Sequence, residues 1–423
     1  MTPRRQLVVL VGADLISNLG TRISVVTIPW LVLVTTGSPT KMGLVAFAET
    51  LPYLLSSALG TPWADRMGLR RTSILCDAGS AVAMVVVALT PWLGFAPLVA
   101  LVAVAGALRG IGDRVKHVMF RPVAEAAGVP LIRLTSTYDG LSRMVTLFGA
   151  AMGGLLIAAF GMTEAILIDA ASFAICALLI GLLVRPPAAP AAPAAPAGYL
   201  RALRDGFGYL GRDRPLLGML VVVSALNLVA NASVAVYIPF WVARELHGPS
   251  GLGLVLAAFS AGALLGNVAF TALGPRLPGR LTFLIGATVA GTPRLVALAI
   301  SDELPVVLVV TFLSGIGIAA VNPLLGVALY ERVPPDLQTR VLGIAGSLAF
   351  VGLPVGALLG GWSVDAFGLT PALLAMAATC LLVTAFPLFA RTTRATPDDP
   401  PEPPPPDPQT GCAPLAASAG SDG

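Results

Sequence analysis

GAAMGGLLIAAFGMTEAIL, residues 149–167, and GALLGGWSVDAFGLTPALL, residues 356–374, are one stretch written twice. The offset is 207 with no gap, and ten of the nineteen positions are identical. The echo extends beyond this stretch. Ile28-Pro29-Trp30 returns as Ile238-Pro239-Phe240, and Pro39, Gly43 and Leu44 return as Pro249, Gly253 and Leu254, all at offset 210. GIG at 110–112 returns at 315–317, and Arg133 returns as Arg340. The matches are collinear, so half of the chain repeats the other half.

What repeats is a set of membrane spans. Of the 423 residues 56% are hydrophobic and 11% charged, and the mean hydropathy is +0.86. Soluble domains average about 25% charged residues. Twelve apolar runs lie near 6–34, 42–63, 73–93, 97–119, 137–160, 163–184, 215–242, 250–273, 281–300, 304–330, 341–364 and 368–390. Each approaches the roughly 20 residues that cross a bilayer core as a helix. They are too long for barrel strands and do not alternate, and lipid tolerates only these two solutions. The expected fold is an all-α membrane protein of twelve transmembrane helices in two parallel-repeat six-helix bundles. Six is even, so the second half starts on the side where the first began.

Lys and Arg set the orientation. With the N-terminus in the cytoplasm, inside segments hold nineteen basic residues, Lys116 counted among them, and outside loops hold Lys41 and Arg244. Both termini are therefore expected inside. The divisions are 1–184, a first six-helix bundle; 185–214, a Pro/Ala-rich cytoplasmic linker (RPPAAPAAPAAPAG, then an amphipathic helix with Leu200, Leu203, Phe207 and Leu210); 215–390, a second bundle; and 391–423, a disordered Pro-rich tail. The basic residues are spread over short loops, so no nucleic-acid partner is expected despite the net charge of +4. Four scattered cysteines and two distant histidines give no disulfide framework, no metal site and no cofactor.

The loop after the second span reads ADRMGLRRT, 64–72. It resembles the G-x-L-A-D-R-x-G-R-[KR] signature of the major facilitator superfamily. Asp65, Arg66, Gly68 and Arg70 match it and Arg71 extends the basic run, while Thr61, Trp63 and Leu69 depart from it. SNLGTRISVVTIPWLVLVTTGSP at 17–39, RGIG at 109–112 and RALRDGFGYL at 201–210 resemble the drug:proton antiporter branch with the macrolide and siderophore exporters. Gly149-Ala150 stands where that branch usually has Gly-Pro. The resemblance implies a proton-coupled exporter of an amphipathic small molecule, working as a monomer in the plasma membrane. It also implies that Asp65 latches the cytoplasmic gate against the start of helix 11. The second-half loop has Arg276 where the Asp would stand.

Charge inside a membrane is costly and marks function. Asp14, Asn18 and Thr21 share one face of the first span, with Arg22 beside them. Ser224, Asn227 and Asn231 form the equivalent stripe on the seventh, and Asn267 and Asn322 add polar groups to the second half. Counting depth from the span ends sets Arg22 level with Glu49, and Asp14 level with Arg109, which shares a face with Asp113. Asp14, Asn18, Arg22, Glu49, Arg109 and Asp113 are the candidates for proton coupling or for lining the cavity. Asp77 and Asp139–Arg143 are expected at the cytoplasmic edge, Arg121 and Glu125 in a loop, and Arg294 has no evident partner. Gly149, Gly153, Gly154, Gly356, Gly360 and Gly361 are expected to pack helices closely. No HExxH, Ser/Lys pair or phosphate loop points to an enzyme. The rival readings are an importer or facilitator of the same fold, or a membrane sensor or lipid-binding protein.

Overall fold

In the computed structural model, residues 1–59, 67–89, 94–185, 207–246 and 248–389 are described. Asp65 and Arg66, the polyproline spacer and the tail lie outside the described residues.

Twelve helical spans follow one another: α1 (Pro3–Thr36), α2 (Pro39–Leu59), α3 (Leu69–Leu89), α4 (Phe95–Ala126), α5 (Leu131–Phe160), α6 (Met162–Leu183), α7 (Arg214–Glu245), α8 (Ser250–Leu273), α9 (Gly279–Ile300), α10 (Leu304–Arg332), α11 (Pro335–Phe350, continued as Gly352–Phe367) and α12 (Leu369–Phe389). Among the described residues ten are long and apolar enough to cross a membrane. Residues 207–212 form a further short helical stretch, with Leu210 buried and Phe207 exposed. Local chemistry sets several boundaries. α1 ends on Gly37 at φ 66°, and Gly68 at φ 85° makes the turn before α3, conformations that favour glycine. Asp213 caps α7 by accepting from Leu216 N at 3.1 Å, and it pairs with Arg332 at 2.9 Å. Arg70 donates to the last carbonyls of α6, Gly181 O and Ile180 O.

Three spans depart from regular α geometry, α10 among them, broken at Ala319–Ala320 between Leu304–Ile318 and Val321–Arg332. α7 contains a π-helical segment, Ser233–Tyr237, just before Pro239. Proline has no N–H to return to the carbonyl four residues back, and widening the turn accommodates that loss. α11 is interrupted at Val351.

The helices pack as two copies of one plan. The contacts α1–α5, α2–α4, α3–α4 and α3–α6 recur as α7–α11, α8–α10, α9–α10 and α9–α12. Between the halves the main contacts are α2 with α11 and α8 with α5, a pair exchanged by the same twofold relation.

The glycines of the repeated stretch explain why it was duplicated. A Cβ on Gly149 would strike Arg22 Cβ at 2.6 Å, and one on Gly153 would press on Ile23 of α1 at 3.2 Å. In the other half, Gly356 lies on Leu228 of α7 and Gly360 on Ala232. The remaining glycine of each copy turns to the opposite half. A Cβ on Gly154 would reach Gly253 Cα of α8 at 2.5 Å, and one on Gly361 would reach Gly43 Cα of α2 at 3.1 Å. Each copy thus seats one helix against the first helix of its own half and the second helix of the other.

All these cross-half contacts lie toward the end of the bundle opposite the termini. At the terminal end, Val321–Arg332 of α10 and Pro335–Phe350 of α11 pack mainly on α7, α9 and each other. Among the described residues the glycine contacts between the halves gather at one end, and Ser260 of α8 donates to Leu147 O of α5 nearer mid-span, at 2.6 Å.

Candidate functional site

The first half buries a network of charge. α4 approaches α2 closely because Gly106 lies on Glu49 O and Gly110 on Tyr53 O, where no side chain would fit. Arg109, between these glycines, reaches Glu49 at 2.5 Å and lies over the Tyr53 ring, 5.5 Å from its centroid. Glu49 therefore pairs with Arg109 rather than with Arg22. Arg22 makes no ion pair within 4.0 Å among the described residues, and its Nε is buried without a hydrogen bond.

One turn or more toward the termini, Lys116 is completely buried. Its Nζ lies 3.2 Å from Asp113, 3.3 Å from Asp77 and 3.4 Å from Asp14. Tyr138 of α5 donates to Asp14 Oδ2 at 2.6 Å, Asn18 donates to the same oxygen at 3.1 Å, and His117 Nε2 lies 2.8 Å from the Tyr138 hydroxyl. Three expectations are corrected here. Asp14 meets Lys116, not Arg109; Lys116 is a deep residue, not a loop residue; Asp77 is buried, not at the edge. Two helix ends account for the last two: α3 begins at Leu69 rather than at 73, and α4 runs to Ala126 rather than ending near 119, so Asp77 and Lys116 lie about one and two turns deeper than the apolar runs imply. Arg121 and Glu125 accordingly form an exposed pair on α4 at 2.9 Å, and Asp139–Arg143 an exposed pair on α5 at 2.9 Å.

A fifth acid escaped the sequence reading. Asp169 of α6 is 1% exposed, accepts from Ser24 of α1 at 2.5 Å, and has no cationic nitrogen within 4.0 Å among the described residues. Gly20 permits this approach, since a Cβ there would fall 2.5 Å from Asp169 Oδ1. The available signal was an acid in the interior of one of the most apolar spans.

The second-half stripe reaches α11 through two of its amides. Asn227 Nδ2 donates to Ala349 O at 2.8 Å and Asn231 Nδ2 to Leu353 O at 2.7 Å, on either side of the break in α11. These amides satisfy carbonyls near the break. Ser224 lies one turn nearer the termini, with its carbonyl against Gly352. Asn267 is half-buried on α8 and Asn322 exposed on α10, apart from this group. Arg294 finds its place in the buried core of this half: Nη2 donates to Ser233 at 3.2 Å, at the π-helical turn, and the guanidinium lies 5.1 Å from the Phe259 ring centroid. Among the gating residues, Arg70 binds the end of α6 and Arg71 is exposed.

The sequence model of the transmembrane secretion effector family matches residues 3–408. The chain is 30% identical over 375 residues to a protein named multidrug efflux pump Tap from Mycobacterium tuberculosis (strain ATCC 25618 / H37Rv), covering 86% of this chain and 88% of that one. A protein of the same name from Mycolicibacterium fortuitum is 28% identical over 398 residues, covering 92% and 96%. The fold is similar to the crystal structure of the nucleoside transporter NupG, with TM-score 0.74, 14% identity and coverage of 92% and 100%. It is also similar to an inward-facing, unoccupied bacterial homologue of the lysosomal transporter Spinster, with TM-score 0.70, 16% identity and coverage of 91% and 96%.

Proposed function

Because this chain belongs to the transmembrane secretion effector family of the major facilitator superfamily, we propose that it is a secondary active transporter exporting an amphipathic small molecule, a drug or natural product, in exchange for protons. It works as a monomer in the plasma membrane with both termini in the cytoplasm. In that orientation the glycine contacts between the halves lie on the outer side, as at the inward-open stage of alternating access. The efflux pumps of the same family to which the chain is similar over nearly its whole length support export.

One observation carries the coupling. Five carboxyl groups, Asp14, Glu49, Asp77, Asp113 and Asp169, share the interior of the first half with three cations, Arg22, Arg109 and Lys116. Fully ionised, the set holds two negative charges too many for an apolar medium, where uncompensated charge is expensive. Protons or a cationic substrate make up the difference. Asp113 is the pivot: it pairs with Lys116, and at 15% its side chain is the most open of the three acids around that amine.

Inverted vesicles supplied with a panel of dyes and antibiotics test this directly. At least one compound is expected to accumulate, and an uncoupler to abolish the accumulation; uncoupler-insensitive accumulation sinks the coupling. Among Asp14→Asn, Glu49→Gln and Asp113→Asn, at least one inserted variant is expected to lose the uncoupler-sensitive component, with Asp113→Asn losing most. If all three pump like the parent, the coupling site is elsewhere. The division into bundles 1–184 and 215–390 is tested separately. Each half packs on its own helices, so halves expressed as two chains are expected to reassemble and co-purify; failure to associate counts against two bundles.

A further inference from the structure

Asp365 lies near the C-terminal end of α11, one turn beyond Gly361. Its carboxylate crosses to the other half. Thr40 N donates to Oδ2 at 2.9 Å and Ser38 Oγ donates to the same oxygen at 3.1 Å. Both donors belong to the N-terminus of α2. Pro39 has no N–H, so the Thr40 amide is the first that α2 offers, and an anion here meets unpaired donors and the positive end of the helix dipole. No cationic nitrogen lies within 4.0 Å of Asp365 among the described residues, so α2 is its partner. One turn further in, the same two helices meet backbone to backbone, Gly43 against Ala357 and Gly361. The carboxylate therefore sits at the mouth of a glycine seam that exists only while this end of the bundle is closed.

The repeat shows that the device is one-sided. At offset 207 the position matching Asp365 is Ala158, and at offset 210 the position matching Thr40 is Ser250. The twofold-related seam, α5 against α8, closes through Gly154 and Gly253 with Ala158 in the place of Asp365. We propose that Asp365 is the latch of the outer gate, holding the inward-open state by capping α2 from the opposite half. The proposal rests on the alternating-access reading above, while its test needs neither substrate nor proton gradient.

Spin labels at Thr35 and Arg244, exposed residues near the ends of α1 and α7, report the separation of the halves in a background with Cys76, Cys176, Cys380 and Cys412 replaced. The parent is expected to show mainly the short distance. In Asp365→Ala the long-distance population should rise about threefold to tenfold, the range expected for losing a charged helix cap. Asp365→Asn keeps the acceptor and loses the charge, so its shift should be smaller. Ala158→Asp supplies the missing counterpart opposite Ser250 and should lower the long-distance population. Asp365→Ala that melts earlier yet leaves the distances unchanged would show a local cap only and overturn the latch. If Asp365→Ala does not fold, an Ala158→Asp protein with unchanged distances overturns it equally. A chain that exports nothing can still show these shifts, so the latch and the export reading fail separately.

Discussion

Lys116→Met is expected to abolish efflux and to destabilise the protein by about 3–5 kcal/mol, the cost of removing one partner from a buried ion pair. The effect is large because three carboxylates converge on one amine within 3.2–3.4 Å and nothing else positive replaces it. Methionine fills similar space, so packing is preserved and the loss is electrostatic. Lysine suits this position better than arginine: a compact charge with three rotatable donors can face three acids, whereas a planar fork cannot. Lys116→Arg should therefore also impair transport. Adding Asp113→Asn to Lys116→Met removes one of the stranded charges and should recover part of the stability. Thermal melts in detergent and efflux from vesicles check both effects. A methionine variant that melts and pumps with the parent would mean the four groups are not charged as their spacing requires.

Gly154→Val should prevent the halves from closing at the outer end. Its side chain would enter the space of Gly253 N and Cα, which are backbone atoms with no rotamer to yield. Overpacking costs about 1–3 kcal/mol, and here the cost falls on the inward-open state alone. The population should swing toward the outward-open form, and efflux should fall about tenfold or more. Gly140→Ala is the control, because nothing lies within 4 Å of a Cβ at that position. Unimpaired pumping by Gly154→Val, with the label distances of the parent, would remove the glycine seam from the gating account.

Much of this arrangement was legible before any coordinates. The collinear echoes gave two six-helix halves, and the glycines of residues 149–154 and 356–361 announced close packing. They could not say which helices they would meet, because spacing along one helix does not reveal the direction of its faces. The same limit hid the partners of Asn227 and Asn231, whose amides reach α11. Depth was the second weak point. Hydropathy ends a span where charges begin, but α4 continues through Arg121 and Glu125 as a paired, exposed helix. That concealed Lys116. Asp169 was hidden for another reason: its hydrogen-bond partner Ser24 is 145 residues away, and only the Gly20 contact brings the two together. The π-helical turn at Ser233–Tyr237 has Pro239 as its sequence mark, but the matching Pro29 sits in regular α-helix, so the proline does not announce the form of the break.

The chain's basic side chains are almost entirely arginine: only Lys41 and Lys116 carry a primary amine. Lys116 is sealed among its three acids, out of reach of reagents. Lys41 sits at the start of α2, its Nζ 5.4 Å from the centroid of the Phe95 ring, two residues from the Gly43 seam. In the proposed orientation the N-terminal amine lies on the opposite side of the bilayer. An impermeant amine-directed ester applied from outside would therefore find one side chain to acylate. The molecule already carries a singular conjugation handle beside its outer gate, where a fluorophore or a tether can be attached without an engineered cysteine.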